Sequence, residues 1–169
     1  METCEVCGFA WEAVGAGEVG PRIVAGSTAI ADLVGRAGAA ASTRPSDAQW
    51  SALEYAAHVR DVLLHVRDRM VIGLVEDDPT FKPLYREERV DLGLYAADTP
   101  GVVVAELAMA AGLFARTFAA LEAEQLAREV QYTYPVVATR TVLWMAQQAV
   151  HEVEHHHGDV ETGLALLAP

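Results

Sequence analysis

Residues 98–120 read DTPGVVVAELAMAAGLFARTFAA, and this stretch decides the fold class. Its apolar residues do not alternate with polar ones, so it reads as a helix rather than a half-buried strand. Asp98 or Thr99 can cap the free backbone N–H groups at its start, and Pro100 suits the first helical position, where no N–H is needed. The pattern predicts a helix from Pro100 to about Arg128. Val102 to Ala111 is the nearest approach to a long apolar run, but Glu106 divides it. No run reaches the roughly 18 residues that a membrane span needs.

Working outward, Tyr85 to Ala96 can form a short helix behind a loop at Glu76 to Leu84, which holds Pro79 and Pro83. Further upstream, Arg44-Pro45-Ser46-Asp47-Ala48-Gln49 reads as a helix start, with Ser46 and Gln49 forming a capping box. The helix it opens should run to about Leu74, with Leu53, Ala57, Leu64 and Val71 at helical spacing. Pro21 to Ala41 is another helix-length piece, weakened by Gly26, Gly35 and Gly38. Downstream, a last helix is expected from about Val136, after Tyr134-Pro135, towards Leu167. No alternating strand segment, internal repeat or low-complexity tail is visible. Four long helices predict an all-α four-helix bundle over residues 19–169, preceded by a CxxC-containing segment over residues 1–18.

The 169 residues, 52% of them hydrophobic, fit one domain with a single core and exclude a disordered chain. A net charge of −12, with 24 acidic and 12 basic residues, argues against a nucleic-acid or anionic-membrane partner. Lys82 is the only lysine and the arginines are scattered. Met-Glu-Thr-Cys-Glu at the start lacks the basic and apolar regions of a signal peptide, so a cytoplasmic location is expected.

All six histidines fall in the second and fourth long helices, namely His58 and His65, then His151, His155, His156 and His157. Residues four apart on a helix lie one above the other, so either His151 with His155 or Glu152 with His156 could chelate one ion. His58 would supply a third ligand from a facing helix. His156 shares its face with Ala149, Val153, Val160 and Gly163, whereas His155 shares its face with Gln148, His151, Asp159 and Thr162. The apolar stripe faces the core, which favours Glu152 and His156. His65 reads as an exposed residue two turns beyond His58.

Trp50-Ser51-Ala52-Leu53-Glu54-Tyr55-Ala56-Ala57-His58, followed far downstream by His155-His156-His157-Gly158-Asp159, resembles the DinB-like (YfiT-like) superfamily. The resemblance covers roughly residues 20 to 165. It implies a four-helix bundle whose metal is held by one His of the second helix and a pair spaced by four in the last. In that family the second member of the pair lies two residues before a glycine; Gly158 here selects His156 and, four residues earlier, Glu152. Glu in the first position departs from the commoner His. It is similar to the mycothiol-dependent maleylpyruvate isomerases, whose zinc triad is His, Glu and His. No counterpart of their extra C-terminal domain is expected in these 169 residues, so their particular substrate is not carried over.

Two imidazoles and one carboxylate leave open positions on a divalent ion, as in catalytic rather than structural zinc sites. Zinc is the expected metal, and nickel or iron would suit the same donors. The resemblance implies thiol S-transfer or thiol-assisted isomerisation of a small electrophile, with a low-molecular-weight thiol as cosubstrate. The alternatives are activation of water, or a non-catalytic bundle that binds a metal or small ligand. His151, His155 and Asp159 stand as alternate ligands or as groups orienting His156. A homodimer is an expected partner state.

Cys4-Glu5-Val6-Cys7-Gly8-Phe9 looks like half of a zinc ribbon, a possible second metal site at Cys4 and Cys7. Four ligands would require a second chain or a nearby histidine. Trp50, Tyr55 and Trp144 are expected in the core, Arg60, Asp61, Arg67 and Asp68 on a solvated face, and Tyr132 and Tyr134 near a pocket mouth.

Overall fold

Four helices of 20 to 26 residues carry the fold: α1 (Ala16–Ala37), α2 (Ala52–Val75), α4 (Pro100–Ala119) and α6 (Val142–Leu167). Between them lie two short helices, α3 (Arg86–Asp91) and α5 (Ala123–Leu126), and a two-stranded hairpin, β1 (Glu129–Tyr132) with β2 (Ala138–Thr141). The structure is a computed structural model that describes residues 2–133 and 136–168. In cross-section each of α1 and α2 packs against both α4 and α6, so α1 and α2, consecutive in the chain, face each other across a diagonal. A 3-10 turn at Gly38–Ser42 begins the connection that crosses the bundle between them.

The core is filled by Ile23 and Ile30 of α1, Leu53, Leu63 and Met70 of α2, Leu107 and Phe114 of α4, and Met145 of α6, all fully buried. Each such side chain contributes on the order of 1.5–3 kcal/mol on leaving water. Helix α4 is long and apolar enough to cross a membrane by length and composition. Here its Val103, Leu107, Ala110 and Phe114 lie in the bundle core, while Val102 and Met109 are exposed. Close approach of α1 to α6 depends on Gly26, where a Cβ would meet Val153 Cγ1 at 2.5 Å. Arg22 of α1 then clamps Glu154 of α6 with two hydrogen bonds of 2.7 and 2.8 Å.

Several boundaries differ from those expected. Helix α1 begins at Ala16, not Pro21, and Pro21 sits within it. Helix α2 opens at Ser51 rather than Ser46: the Ser51 hydroxyl accepts the Glu54 N–H at 3.2 Å, and the Glu54 carboxylate accepts the Ser51 N–H at 2.8 Å. Both serines start an S-x-x-[E/Q] sequence, but Glu54 also receives the Arg44 fork at 2.8 and 2.5 Å. Ser46 instead closes a turn by accepting the Gln49 N–H. Helix α4 stops at Ala119, well before Arg128, because Glu122 and Gln125 form a new capping box that starts α5. The last helix begins at Val142, not Val136, since residues 138–141 pair with β1 in antiparallel register, Glu129 with Thr141 and Tyr132 with Ala138. Tyr134 and Pro135 lie outside the described residues.

Candidate metal centre

His58 points from α2, and Glu152 and His156 from successive turns of α6, to one spot inside the bundle. Glu152 Oε2 lies 3.5 Å from His58 Nε2 and 3.3 Å from His156 Nε2. Metal–donor distances near 2.0–2.1 Å and tetrahedral angles place two donors ~3.3 Å apart. The donor spacing therefore fits a divalent cation. Both ring nitrogens of buried His58 also lack a hydrogen-bond partner. Buried polar atoms are rarely left so, and a ligating role accounts for Nε2, the nitrogen that faces Glu152.

The surrounding groups orient these donors. Asp159 Oδ2 lies 2.8 Å from His156 Nδ1. This contact assigns the N–H to Nδ1 and leaves the Nε2 lone pair facing Glu152. Gln148 Nε2 donates to Glu152 Oε1 at 2.7 Å, which leaves Oε2 for the centre. Burial lowers the His58 pKa. Burial opposes charge on His156 as well, but Asp159 and Glu152 outweigh it and lift that ring to about 9. Partial burial of Glu152 would raise it, yet the two imidazoles hold it well below the ordinary carboxylate range.

Trp50 and Tyr55 are half-buried and wall this spot instead of filling the core: Tyr55 stacks on His156 at 5.3 Å and Trp50 meets His58 edge-on at 5.6 Å. A cavity of about 290 Å³ opens beside it, lined among others by His58, His65, Arg69, Tyr132 and Glu152. His65 is thus half-buried on the cavity wall, not exposed, because the loop at Lys82–Leu84 folds over it; burial and nearby Arg69 push its pKa down to about 4. Tyr132 lines the cavity as expected. A second cavity of about 320 Å³ reaches Glu152 and His156 from the other side, past Trp11, Trp144, His151 and His155. Half-buried Trp144 stacks against Trp11 at 6.3 Å and under Arg140.

Arg60 and Asp61 are not on a solvated face. They form a half-buried network in which Arg60 donates to Asp61, Asp98 and Glu106, and Arg89 donates to Asp61 at 2.6 Å. This network ties α2 to α4. Arg67 and Asp68 do face solvent. Arg69 is a buried group that sequence reasoning missed: its guanidinium lies 5.2 Å from the centroids of both Phe81 and Tyr132, donates to the Lys82 carbonyl, and has no carboxylate partner among the described residues. Its helical position could have found it: Arg69 lies eleven residues after His58 and four after His65, on their face of α2, whereas Arg67 lies on the opposite side. Gln148 was likewise overlooked, although its spacing of four from Glu152 was visible.

His151 and His155 do not join the His58 site. They lie on the adjacent face of α6, and their ligating atoms fall within 4.8 Å of those of Cys4 and Cys7. Both cysteines are free. Burial raises the Cys7 thiol. At Cys4 burial acts in the same direction, but N–H groups of Cys7 and Val6 outweigh it and lower that thiol.

Residues 29–160, well over half of the chain, match the DinB superfamily. The chain belongs to the DinB superfamily. Among solved structures it is similar to YfiT from Bacillus subtilis, described as a probable metal-dependent hydrolase with an unusual four-helix bundle topology. The identity is 16%, the TM-score 0.71, and the likeness covers 85% of this chain and 84% of that one. It is also similar to a mycothiol-dependent maleylpyruvate isomerase, at 12% identity and TM-score 0.72 over 90% of this chain and 63% of that one. This DinB-superfamily chain thus spans under two thirds of the isomerase. At these identities the likeness establishes the fold. No curated protein matches the sequence.

Proposed function

We propose that the protein is a metal-dependent enzyme that joins a low-molecular-weight thiol to a small electrophile, with one divalent cation held by His58, Glu152 and His156. The observation that carries this reading is the convergence of two buried histidines on a half-buried glutamate, at 3.3 and 3.5 Å, beside a cavity. Three protein ligands leave a position open, the feature that separates catalytic from structural zinc sites. A cation bound there supplies Lewis acidity, which keeps a bound thiol as thiolate at neutral pH. Zinc is the metal we favour.

The chain's own groups supply the rest. Asp159 and Gln148 fix the orientation of His156 and Glu152, and Trp50 and Tyr55 screen the centre from water. Arg69 offers a buried positive charge within the cavity, which favours an electrophile bearing an anionic group. In the reaction the thiol gives up its proton and its sulfur bonds the electrophilic carbon as that carbon's π bond, or its bond to a leaving group, breaks; the proton ends on the adjacent atom or on the departing group. In an isomerisation that bond breaks again and the thiol is returned. A cytoplasmic setting, where thiols stay reduced, accords with the free cysteines.

A second reading, water as the nucleophile, is favoured by the description of YfiT as a probable hydrolase. The test is a turnover screen of the zinc-loaded protein with small anionic electrophiles and esters, with and without thiol. Conversion that needs both metal and thiol supports the proposal. Conversion that needs metal alone supports water, and metal binding without any conversion supports a binding protein.

A further inference from the structure

The segment before α1 does not hang free. Trp11 and Val14 are buried, Trp11 Nε1 donates to Gln148 Oε1 at 2.8 Å, and Gln147 Nε2 donates to the Val14 carbonyl at 2.9 Å. Phe9 and Trp11 both pack on the His151 ring, at 5.2 and 4.9 Å. The CxxC therefore sits against the outer face of α6. Its backbone is folded into a knuckle: the Gly8 N–H bonds the Cys4 carbonyl at 2.9 Å, the Cys4 N–H bonds the Phe9 carbonyl at 2.8 Å, and Gly8 has φ +73°, which glycine adopts without strain.

Opposite the knuckle, both ring nitrogens of His151 and Nδ1 of His155 are buried without a hydrogen-bond partner. Nε2 of His155 is turned to Asp159 at 3.7 Å. Two thiols and two imidazoles thus face one another with all donor atoms within 4.8 Å, and nothing in the bundle site uses them. We propose that Cys4, Cys7, His151 and His155 form a second metal site, a closed tetrahedral Cys2His2 centre for zinc that staples the N-terminal segment to α6. Two thiolates and two neutral imidazoles cancel the charge of Zn²⁺ and fill its four positions, the composition of a structural site. The two sites would share one helix, the i, i+4 pair 151/155 outside and the pair 152/156 inside. The link between them is Trp11, whose hydrogen bond to Gln148 reaches the side chain that holds Glu152.

Cobalt(II) is the probe, titrated into the reduced full-length protein, since thiolate ligation gives a near-ultraviolet charge-transfer band that His and Glu ligation lacks. Two equivalents are expected, one of them carrying the band. C4S/C7S should remove the band and one equivalent. H151N/H155N should weaken the band-forming equivalent at least a hundredfold, and His155→Asn alone at least tenfold. Far-ultraviolet circular dichroism checks that each variant stays helical. Zinc X-ray absorption of the His58→Ala variant then reads the ligand set: two sulfurs with two nitrogens support the site. Four sulfurs place the metal between two chains and overturn it, as does a band of unchanged affinity in H151N/H155N or no band in the wild type. Because His58→Ala disables only the inner site, failure of the catalytic reading leaves these results interpretable.

Discussion

Replacing Asp159 by Asn separates what the carboxylate does for a metal from what it does for a proton. Its Oδ2 lies 2.8 Å from His156 Nδ1, a charge-assisted contact to a buried ring. Removing such a partner of a ligating histidine costs about 10–100-fold in metal affinity, or roughly 1.4–2.8 kcal/mol. The same carboxylate helps lift His156 to about 9, so near pH 7 a metal must first displace a proton from Nε2. That competition should weaken wild-type binding roughly 50-fold at pH 7 relative to pH 9, the slope approaching about tenfold per pH unit below the pKa. In Asp159→Asn the imidazolium loses the same support, and the proton competes less. The expected deficit of the variant is therefore the full 10–100-fold at pH 9 and much smaller at pH 7. Zinc competition against a chromophoric chelator at both pH values, in a C4S/C7S background, measures this directly. A deficit equal or larger at pH 7 would refute the reasoning, because Asp159 would not then act through His156.

Other substitutions test the frame. Ser51→Ala should lower stability by about 1 kcal/mol through loss of the α2 cap, whereas Ser46→Ala should be close to neutral; thermal unfolding of the pair decides which serine starts the helix. Gly26→Ala drives a Cβ to 2.5 Å from Val153 and should cost about 1–3 kcal/mol. Gly35→Ala, with nothing within 4 Å, should stabilise α1 by about 0.5–1 kcal/mol, and equal effects in urea melts would contradict the helix packing. Arg69→Gln should raise KM at least tenfold for an anionic substrate with a smaller change in kcat; a loss confined to kcat would remove its assigned role.

The four long helices were legible because each carries local punctuation, such as Pro100 after Thr99, and a run too apolar to stay in solvent. The hairpin was not, although Val130 and Tyr132 are the buried positions of Glu129-Val130-Gln131-Tyr132. Four residues give too short an alternation to compete with a neighbouring helix pattern. The inward placing of Glu152 and His156 was legible because the small and apolar neighbours of His156 mark the buried face of α6. His65 and Arg69 share the His58 face of α2 at i+7 and i+11, a spacing the sequence does show; what it does not show is the loop at Pro83–Leu84 that closes the cavity over that face. Arg60 and Asp61 looked like a charged surface for the same reason: their partners Asp98, Glu106 and Arg89 come from distant parts of the chain.

The most direct test of the central claim is the metal content of C4S/C7S protein, in which only the inner site remains, alongside the same protein carrying His58→Ala, Glu152→Ala or His156→Ala. About one equivalent of divalent metal should remain in the parent and be lost in each of the three. Undiminished metal in His58→Ala would contradict the account, because the ion would then not bridge α2 and α6.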